Sequence, residues 1–226
     1  MSDELEDLCE SLFAQRIPNV WLNAPSYPSL KSLNGYISNL IKRLNMFKSW
    51  LNVQQPVCFW ICGFFFTQSF LTGTLQNYAR KHKLPIDTIG FDFDVLSEYT
   101  HSVFTENPDD GCFIHGLFMD GARWLVKENN FLNAHGAIEE SLPRELYSPL
   151  PIIKLIPKAI KDIDAHQFLY QCPVYKTTER RGTLSTTGHS TNYVMMILLP
   201  IQTHHSQHHW VKRGVALICS VPFCDN

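Results

Sequence analysis

Four histidines lie within six consecutive residues, and the spacing between them is one that a metal-binding helix could use. His204, His205, His208 and His209 contain two pairs that are four residues apart. On a helix, such a pair places two imidazoles on one face, where they can hold zinc or nickel. No acidic residue lies between the histidines to act as a base, and the run falls between two predicted strands. The simpler prediction is a solvated hairpin loop, with a histidine-loop metal-binding protein as an alternative function.

A candidate nucleophile lies in the loop Thr186–Asn192, where His189 precedes Ser190. A nucleophile elbow needs small residues on both sides of the serine so that the strained turn can form. Gly188 meets this requirement, but Asn192 replaces the second glycine. Local hydrogen bonding by serine and threonine side chains explains such a loop without catalysis. A small serine hydrolase therefore remains an alternative, and it would need an acidic partner near His189.

Two groups of carboxylates have spacings that could serve acid–base chemistry. Asp92 and Asp94 share one face of a predicted strand, and Asp109 and Asp110 share a predicted turn. General acid–base catalysis requires two carboxyl groups whose surroundings move their pKa values apart. Alternating aspartates on the wet face of a strand are a sufficient explanation for the first pair.

A basic pair precedes a threonine in the same region as the serine loop. Arg180 and Arg181 lie ahead of Thr183 in the order that a basophilic protein kinase recognises. Phosphorylation there would add negative charge beside the two arginines. A solvated β-turn is the simpler interpretation.

Phosphate-binding motifs are missing from the sequence. It contains no GxxxxGK[ST] segment, and no GxGxxG segment follows a predicted strand. Autonomous ATPase activity would need such a cradle of backbone amides. We therefore predict that the protein is not an enzyme by itself, with no catalytic, cofactor-binding or metal-binding residues and no cofactor.

The composition is that of a globular protein. Of the 226 residues, 45% are hydrophobic and 18% are charged, and the formal net charge is −2, which argues against disorder and against a strongly basic nucleic-acid binder. The seven cysteines are odd in number, and Cys58 and Cys62 do not form a CxxC pair. Free thiols in a reducing compartment are therefore expected. Since the acidic N-terminus lacks a signal-peptide core and residues 57–66 are too short to span a bilayer, we expect cytosolic residence.

The first quarter of the sequence is predicted to be mostly helical. Apolar residues at helical spacing predict a helix over residues 2–15, followed by an irregular segment that contains Pro18, Pro25 and Pro28. A longer helix is predicted from residue 28 or 29 to about residue 52. Its predicted apolar stripe is Leu33, Ile37, Leu40, Ile41, Leu44, Phe47 and Leu51. Lys42, Arg43 and Lys48 are predicted to lie on the other faces.

After Pro56 the pattern changes to strands. Residues 57–66 predict a buried strand, Thr67 a helix cap, residues 68–82 a helix, and residues 89–95 a strand with one wet face. Further strands are predicted at residues 112–119, 150–156, 168–175, 193–199 and 210–221, with a helix near residues 160–167. The fold class is therefore α+β. We predict a helical subdomain over residues 1–55 and a mostly antiparallel, β-barrel-like cap over residues 56–226, with one embedded helix at about 67–83.

Aromatic residues are dense in the segments FWICGFFF, GFDFD and GCFIHGLFMDGARW. Such density predicts a core, and some of these residues are expected at a partner surface. Seven segments in order resemble one known family and cover most of residues 24–219: APSYPSLKSLNGYISNLIKRL, FWICGFFFTQSFLTGTLQNYARKHKLPID, GFDFDV, DDGCFIHGLFMDGARW, ESLPRELYSPLPII, YQCPVYKTTERRGTLSTTGHSTNYVMMI and HWVKRGVALIC. The protein resembles the C-terminal region of axonemal dynein heavy chains.

The resemblance implies a helical segment and a compact β-barrel-like cap that packs on one face of the ring of AAA+ modules upstream in the heavy chain. It implies a non-catalytic structural and regulatory role in an ATP-driven, minus-end-directed microtubule motor of cilia and flagella. The implied partners are the AAA+ modules of the same heavy chain and other dynein subunits, with no nucleic acid, no membrane and no direct microtubule contact. The implied location is the cytoplasm and cytoskeleton, and the axoneme of the cilium or flagellum.

Overall fold

The computed structural model describes residues 3–23, 27–129, 134–163, 168–182, 191–202 and 205–222. Helices in these ranges are α1 (Asp3–Phe13), α2 (Asn19–Asn23), α3 (Leu33–Asn52), α4 (Thr67–His82) and α5 (Gln207–Lys212). Strands in these ranges are β1 (Cys58–Trp60), β2 (Ile89–Val95), β3 (Cys112–His115), β4 (Phe118–Asp120), β5 (Arg123–Asn129), β6 (Ala134–Glu139), β7 (Tyr147–Pro149), β8 (Ile153–Ala159), β9 (Leu169–Thr177), β10 (Tyr193–Pro200) and β11 (Ala216–Ser220). The predicted α+β class, with helices before a strand-rich region, is confirmed.

The N-terminal helices differ from the prediction at their boundaries. The predicted first helix is present as α1, whereas α2 lies in the segment that the prolines led us to predict as irregular. Helix α3 begins later than predicted, because Ser32 is its N-cap and the Ser32 side chain accepts a hydrogen bond from the Gly35 amide. Ser29 does not cap the helix; its hydroxyl instead accepts a hydrogen bond from the Lys31 amide at 3.2 Å.

Helix α4 confirms the predicted embedded helix. The prediction that Thr67 caps it is wrong, because Phe66 holds the N-cap position and Thr67 is the first helical residue and is buried. At the other end, Lys83 adopts a left-handed conformation (φ 54°), and its amide donates to the Ala79 carbonyl. The last turn carries Arg80, Lys81 and His82, whose positive charges are favourable near the helix carboxyl end.

The strands form three sheets, and within the described residues they do not close into a barrel. One sheet has the order β1-β3-β8-β2, a second has the order β10-β9-β11-β4-β7, and β5 and β6 form a two-stranded sheet. Most neighbouring strands are antiparallel, as predicted, but β1 pairs with β3 and β11 pairs with β9 in parallel. The predicted single cap is therefore divided among separate sheets that share one core.

Three predicted strands have different structures. The apolar run 57–66 forms a strand only at β1 and then a 3₁₀ turn over Ile61–Gly63. Residues 112–119 are split between β3 and β4, which lie in different sheets, because Gly116 takes a left-handed conformation (φ 95°) between them. The predicted strand 210–221 begins as helix α5, and Gly214 (φ 68°) separates α5 from β11.

The remaining elements show what a local pattern misses. Strands β5, β6 and β7 were not predicted, and β8 begins three residues later than the predicted strand at residue 150. The predicted helix near residues 160–167 is a 3₁₀ turn over Ile160–Asp162, and residues 164–167 lie outside the described part of the protein. Strands β2, β9 and β10 confirm their predictions.

The core is built mainly from strand residues of both larger sheets together with Trp60, Trp124 and Trp210. The predicted wet face of β2 is partly covered, since a Cβ at Gly90 would lie 3.0 Å from the Ile163 side chain. The six cysteines in the described part of the protein are free thiols, as predicted. No helix in that part is long and apolar enough to cross a membrane. The proposed division at residue 55 stays a prediction.

Candidate functional site

An arginine lies inside the aromatic cluster between α3 and the segment that follows β1. Arg43 was predicted on a face of the helix other than the apolar stripe, and that face is a covered one: the exposed fraction of Arg43 is 4%. Its Nε donates to Asn39 Oδ1 at 2.8 Å, and its Nη1 donates to the Phe64 carbonyl at 3.2 Å. Its guanidinium carbon lies 3.7 Å from the Tyr27 ring centroid and 5.6 Å from that of Phe65. The Arg43 guanidinium therefore makes cation–π contacts with the aromatic rings that surround it.

Burial moves the pKa values of this pair in opposite directions. Burial lowers the pKa of Arg43, and the nearby Tyr27 partly offsets this. Burial raises the pKa of Tyr27 to about 12, and the Arg43 charge opposes that rise. A raised pKa keeps the Tyr27 phenol neutral and able to donate, and its hydroxyl indeed donates to the Tyr36 carbonyl at 3.2 Å.

The aromatic packing sets the rotation of α3 about its axis. Tyr36, Arg43, Phe47 and Trp50 lie on the covered side, where Phe47 and Trp50 contact Phe64. The predicted apolar stripe is therefore only partly buried. Four aliphatic residues of that stripe are exposed, and we call them the aliphatic ridge: Ile37 (38%), Ile41 (53%), Leu44 (53%) and Leu51 (85%).

The aliphatic ridge is distinct from the polar face of the same helix. Its members recur at spacings of three, four and seven residues, which place them on one side of an α-helix. Asn34, Ser38, Asn45 and Ser49 are also exposed and occupy the polar side. Helix α3 thus has one aromatic covered face, one aliphatic exposed face and one polar exposed face. Lys48 lies four residues after Leu44 and three before Leu51, so it is on the same side of the helix, and it is exposed; the prediction that it lies on another face is wrong. An exposed aliphatic face, here interrupted by one lysine, usually marks a contact with another protein surface, so the ridge is the candidate functional site.

Other exposed apolar side chains lie outside the ridge. Val53 follows it at the end of α3, Phe13 ends α1, and Phe66 precedes α4; their exposed fractions are 77%, 94% and 65%. Most aromatic residues of the segment 59–70 are instead packed against one another or against the core. Within the three segments that are dense in aromatic residues, Phe66 is the exposed one, and the expectation of aromatic residues at a partner surface stays a prediction. The aliphatic ridge was missed.

In each of the two predicted aspartate pairs, one carboxylate lies in an ion pair. Asp92 pairs with Lys158 of the neighbouring strand β8, and Asp94 lies directly opposite Lys154. Asp110 pairs with Lys81 at 2.8 Å and with His82 at 3.1 Å. The hydrogen bond from Lys81 holds the pKa of Asp110 below its usual range. A catalytic acid needs a raised pKa, so these contacts favour a charged, structural Asp110.

Asp110 also borders a groove of about 370 Å³ between α4 and the end of α3. Its floor is apolar, with Trp50, Phe59 and Phe70, and Lys81 lies at its rim. The Lys81 ammonium donates both to Asp110 Oδ1 and to the Asp109 carbonyl, each at 2.8 Å. The loop carrying the predicted aspartate pair is thus tied to the last turn of α4.

The candidate serine loop is described only at its end. His189, Ser190 and Thr183 lie outside the described residues, so the hydrolase and kinase hypotheses stay predictions. Asn192 is buried and bridges two strands: its Oδ1 accepts from the Thr177 amide at 3.0 Å, and its Nδ2 donates to Thr177 Oγ1 at 2.8 Å. This explains an asparagine at that position without catalysis.

Arg180 has partners that compete with recognition by a kinase. Its Nη2 donates to Asp120 Oδ2 and its Nη1 donates to the Gly214 carbonyl, each at 2.6 Å. Arg180 itself has a left-handed backbone conformation (φ 55°). The guanidinium therefore joins the β9–β10 connection to β4 and to the turn before β11.

The histidine run is partly helical rather than a simple hairpin loop. His204 lies outside the described residues, whereas His205 and His209 are brought together with ring centroids 4.1 Å apart. Glu140, which immediately follows β6, completes a group whose metal-binding atoms all lie within 4.8 Å of one another. Glu140 was missed, because it precedes the histidines by more than sixty residues and nothing in the local spacing indicates it.

Comparisons with known proteins agree with the resemblance in the sequence. The family model for the C-terminal domain of dynein heavy chains matches residues 1–219. The protein is similar to human dynein axonemal heavy chain 3, with 53% identity over 98% of its own length and 5% of the relative. It is also similar to human dynein axonemal heavy chain 1, with 48% identity over 99% of its own length and 5% of the relative. Human dynein axonemal heavy chain 12 is 46% identical over 98% of this protein and 7% of the relative. The 226 residues therefore span only 5–7% of the length of these relatives.

Proposed function

The protein belongs to the family formed by the C-terminal domains of dynein heavy chains, and from that premise we propose that it is a non-catalytic structural and regulatory domain of an axonemal dynein heavy chain. It packs on the ring of AAA+ modules of the same heavy chain and modulates the output of an ATP-driven, minus-end-directed microtubule motor. ATP hydrolysis and microtubule binding belong to other parts of that heavy chain. The domain works in the cytoplasm and cytoskeleton, at the axoneme of cilia and flagella.

The observation that carries this proposal is the aliphatic ridge on α3. Its four side chains remain exposed although the same helix buries an aromatic face and an arginine. Exposed aliphatic surface in water costs about 25 cal/mol for each Å² that a partner would cover. The partner that fits is a neighbouring module of the same polypeptide, since the relatives are many times longer than this protein. Such a partner is always present at high effective concentration.

Regulation follows if the domain binds one ring conformation more tightly than another. A ligand shifts a conformational equilibrium only by its differential affinity for the two states. A tenfold preference for one ring state corresponds to about 1.4 kcal/mol, which is enough to change the populations substantially. The attachment of α3 through Arg43 and the aromatic cluster supports this role, because it joins the helix that carries the ridge to the segment that follows β1.

The test uses a full-length axonemal heavy chain that includes this domain. A double substitution Ile41→Glu and Leu44→Glu places two charges on the ridge, and Ser38→Glu with Asn45→Glu places two charges on the polar face as a matched control. The expected result is a changed ATPase rate and a less stable ring for the ridge variant only. Equal behaviour of both variants would remove the ridge as the docking surface. An unchanged motor after deletion of the whole domain would reject the structural and regulatory role.

A further inference from the structure

We propose that Glu140, His205 and His209 form a binding site for a transition-metal ion of the Zn²⁺ class. The metal-binding atoms of these three residues lie within 4.8 Å of one another. Two imidazoles and one carboxylate are a ligand set that suits zinc, with water as a fourth ligand. The inference departs from the sequence-based expectation of no metal ligand, and it is independent of the proposed docking function.

The fold brings the three residues together through an element outside the histidine run. Ile138 of β6 and Ile201 form an isolated parallel bridge, and both side chains are fully buried. Glu140 follows this bridge by two residues and His205 by four. His209 is one helical turn further, in α5. Because Ile138 and Ile201 are neighbours in the core, the segments that follow them run close together and bring Glu140 near His205 and His209.

Trp210 holds the histidine side of the site in place. Its side chain is fully buried, which anchors α5 against the core. The Trp210 ring makes edge contacts with both imidazoles, with centroids 5.3 Å from His205 and 4.9 Å from His209. Burial of the neighbouring tryptophan therefore limits the rotation of His209. Such support of a metal ligand by packing is a requirement for a specific site.

The His209 nitrogen that faces Glu140 lacks a hydrogen bond among the described residues. His209 Nε2 is buried and makes no hydrogen bond of acceptable geometry among the described residues, although it lies only 3.0 Å from Glu140 Oε1. A buried polar atom without a hydrogen bond is unfavourable. A metal ion between the imidazole and the carboxylate would satisfy both atoms at once.

Arg213 orients the Glu140 carboxylate. Its Nη1 lies 3.5 Å from Glu140 Oε2, which leaves Oε1 facing His209. A group that holds the second oxygen of a ligating carboxylate orients the first and is a normal part of metal sites. The positive charge of Arg213 opposes a cation, so the affinity is expected to be lower than that of a zinc finger.

The site closes with a small movement of one ligand. In a tetrahedral zinc site with bonds of about 2.0–2.1 Å, neighbouring ligand atoms are about 3.3 Å apart. The pair formed by His209 Nε2 and Glu140 Oε1 already approaches this separation at 3.0 Å. The stacked His205 ring must rotate away from its parallel arrangement with His209, which has an interplanar angle of 12°. His205 precedes α5, so this rotation leaves the hydrogen bonds of the helix unchanged.

The experiment is calorimetric titration of the 226-residue protein with ZnCl₂, together with thermal unfolding with and without the metal. We expect one equivalent of zinc to bind and to raise the melting temperature, because the metal binds the folded state in preference. Glu140→Gln and His209→Ala should each weaken zinc binding by roughly tenfold or more. His208→Ala is the matched control, since His208 lies in the same helix but outside the group, and it should bind zinc as the parent protein does.

Two results would overturn the proposal. One is the absence of stoichiometric zinc binding to the folded protein. The other is binding that survives Glu140→Gln and is instead lost in the double substitution His204→Ala and His208→Ala, which would assign the metal to the other histidine pair. Glu140 is 47% exposed, so its substitution by glutamine is not expected to unfold the protein. Motor activity is not a readout here, so failure of the metal site leaves the docking proposal unaffected.

Discussion

The guanidinium carbon of Arg43 lies 3.7 Å from the centre of the Tyr27 ring, which places a cation inside an aromatic cluster beside the middle of α3. This contact belongs to the packing of the side of α3 that faces the rest of the protein, together with the contacts of Phe47 and Trp50 with Phe64. Because the aromatic side and Arg43 are covered, the aliphatic ridge is left exposed. A feature of the interior thus produces the surface on which the proposed function depends.

Removing the Arg43 guanidinium should destabilise the protein strongly. Arg43→Ala leaves Asn39 Oδ1 and the Phe64 carbonyl without their donor and removes the cation from the aromatic cluster. The expected loss is about 3 kcal/mol in the free energy of unfolding, as for other buried hydrogen-bonded charges. Urea denaturation measures it, with the exposed Lys48→Ala as a control that should change stability by less than about 0.5 kcal/mol. A loss below about 1 kcal/mol for Arg43→Ala would contradict the structural role.

Acidification should destabilise the fold through His115. Burial lowers the pKa of His115 from 6.5 to about 4, and the nearby His101 and Lys42 add to this effect. The unfolded protein therefore takes up a proton more readily than the folded protein does. The stability is fully present above the unfolded pKa of about 6.5 and is lost as the pH falls towards 4, by about 3 kcal/mol at most.

The measurement for His115 is urea denaturation at several pH values between about 7 and 4, the window that its two pKa values define. The variant His115→Gln cannot take up the proton, so its stability should fall less over the same range. His82→Gln is a suitable control, because His82 lies in an exposed ion pair with Asp110. Parallel pH curves for the parent protein and His115→Gln would show that other groups cause the acid sensitivity.

Two glycines should respond to alanine in opposite directions. A Cβ at Gly111 would lie 1.8 Å from the Leu155 carbonyl oxygen, and the residue has φ of 81°, so Gly111→Ala should cost more than about 3 kcal/mol or prevent folding. A Cβ at Gly73 within α4 meets nothing within 4 Å, so Gly73→Ala should stabilise the protein by about 0.5–1 kcal/mol. Melting temperatures of the two variants measure the expected loss of stability for Gly111→Ala and the expected gain for Gly73→Ala. A destabilised Gly73→Ala variant would mean that this position in α4 is covered.

Local pattern was sufficient for some elements and not for others. The alternation of Ile89, Phe91 and Phe93 predicts β2, because that pattern has one structural solution. The segment between Thr67 and Pro85 predicts α4, although Thr67 is not its cap. Helix α3 has two apolar faces. Tertiary contacts such as those of Arg43 with Tyr27 and of Phe47 with Phe64 accompany the covered face, and they cannot be read from spacing.

Long-range pairing accounts for the other differences. The segment from Trp210 to Val221 was predicted as one strand, yet Trp210 lies buried in helix α5 and β11 begins only at Ala216. The parallel pairing of β1 with β3 joins segments more than fifty residues apart. Glu140 meets His209 for the same reason, since the fold and not the local sequence brings β6 beside α5.

The proposed docking of α3 is tested most directly by thiol labelling of the ridge. Leu44→Cys is placed in a Cys9→Ser background, because Cys9 is the exposed thiol among the described cysteines. Its rate of maleimide labelling, read by mass spectrometry of the α3 peptide, is compared between the isolated domain and the intact heavy chain, with Ser38→Cys on the polar face as the control. We expect at least roughly tenfold slower labelling of residue 44 in the intact heavy chain than in the isolated domain, with a smaller change at residue 38. Equal labelling of residue 44 in both proteins would contradict the proposed docking.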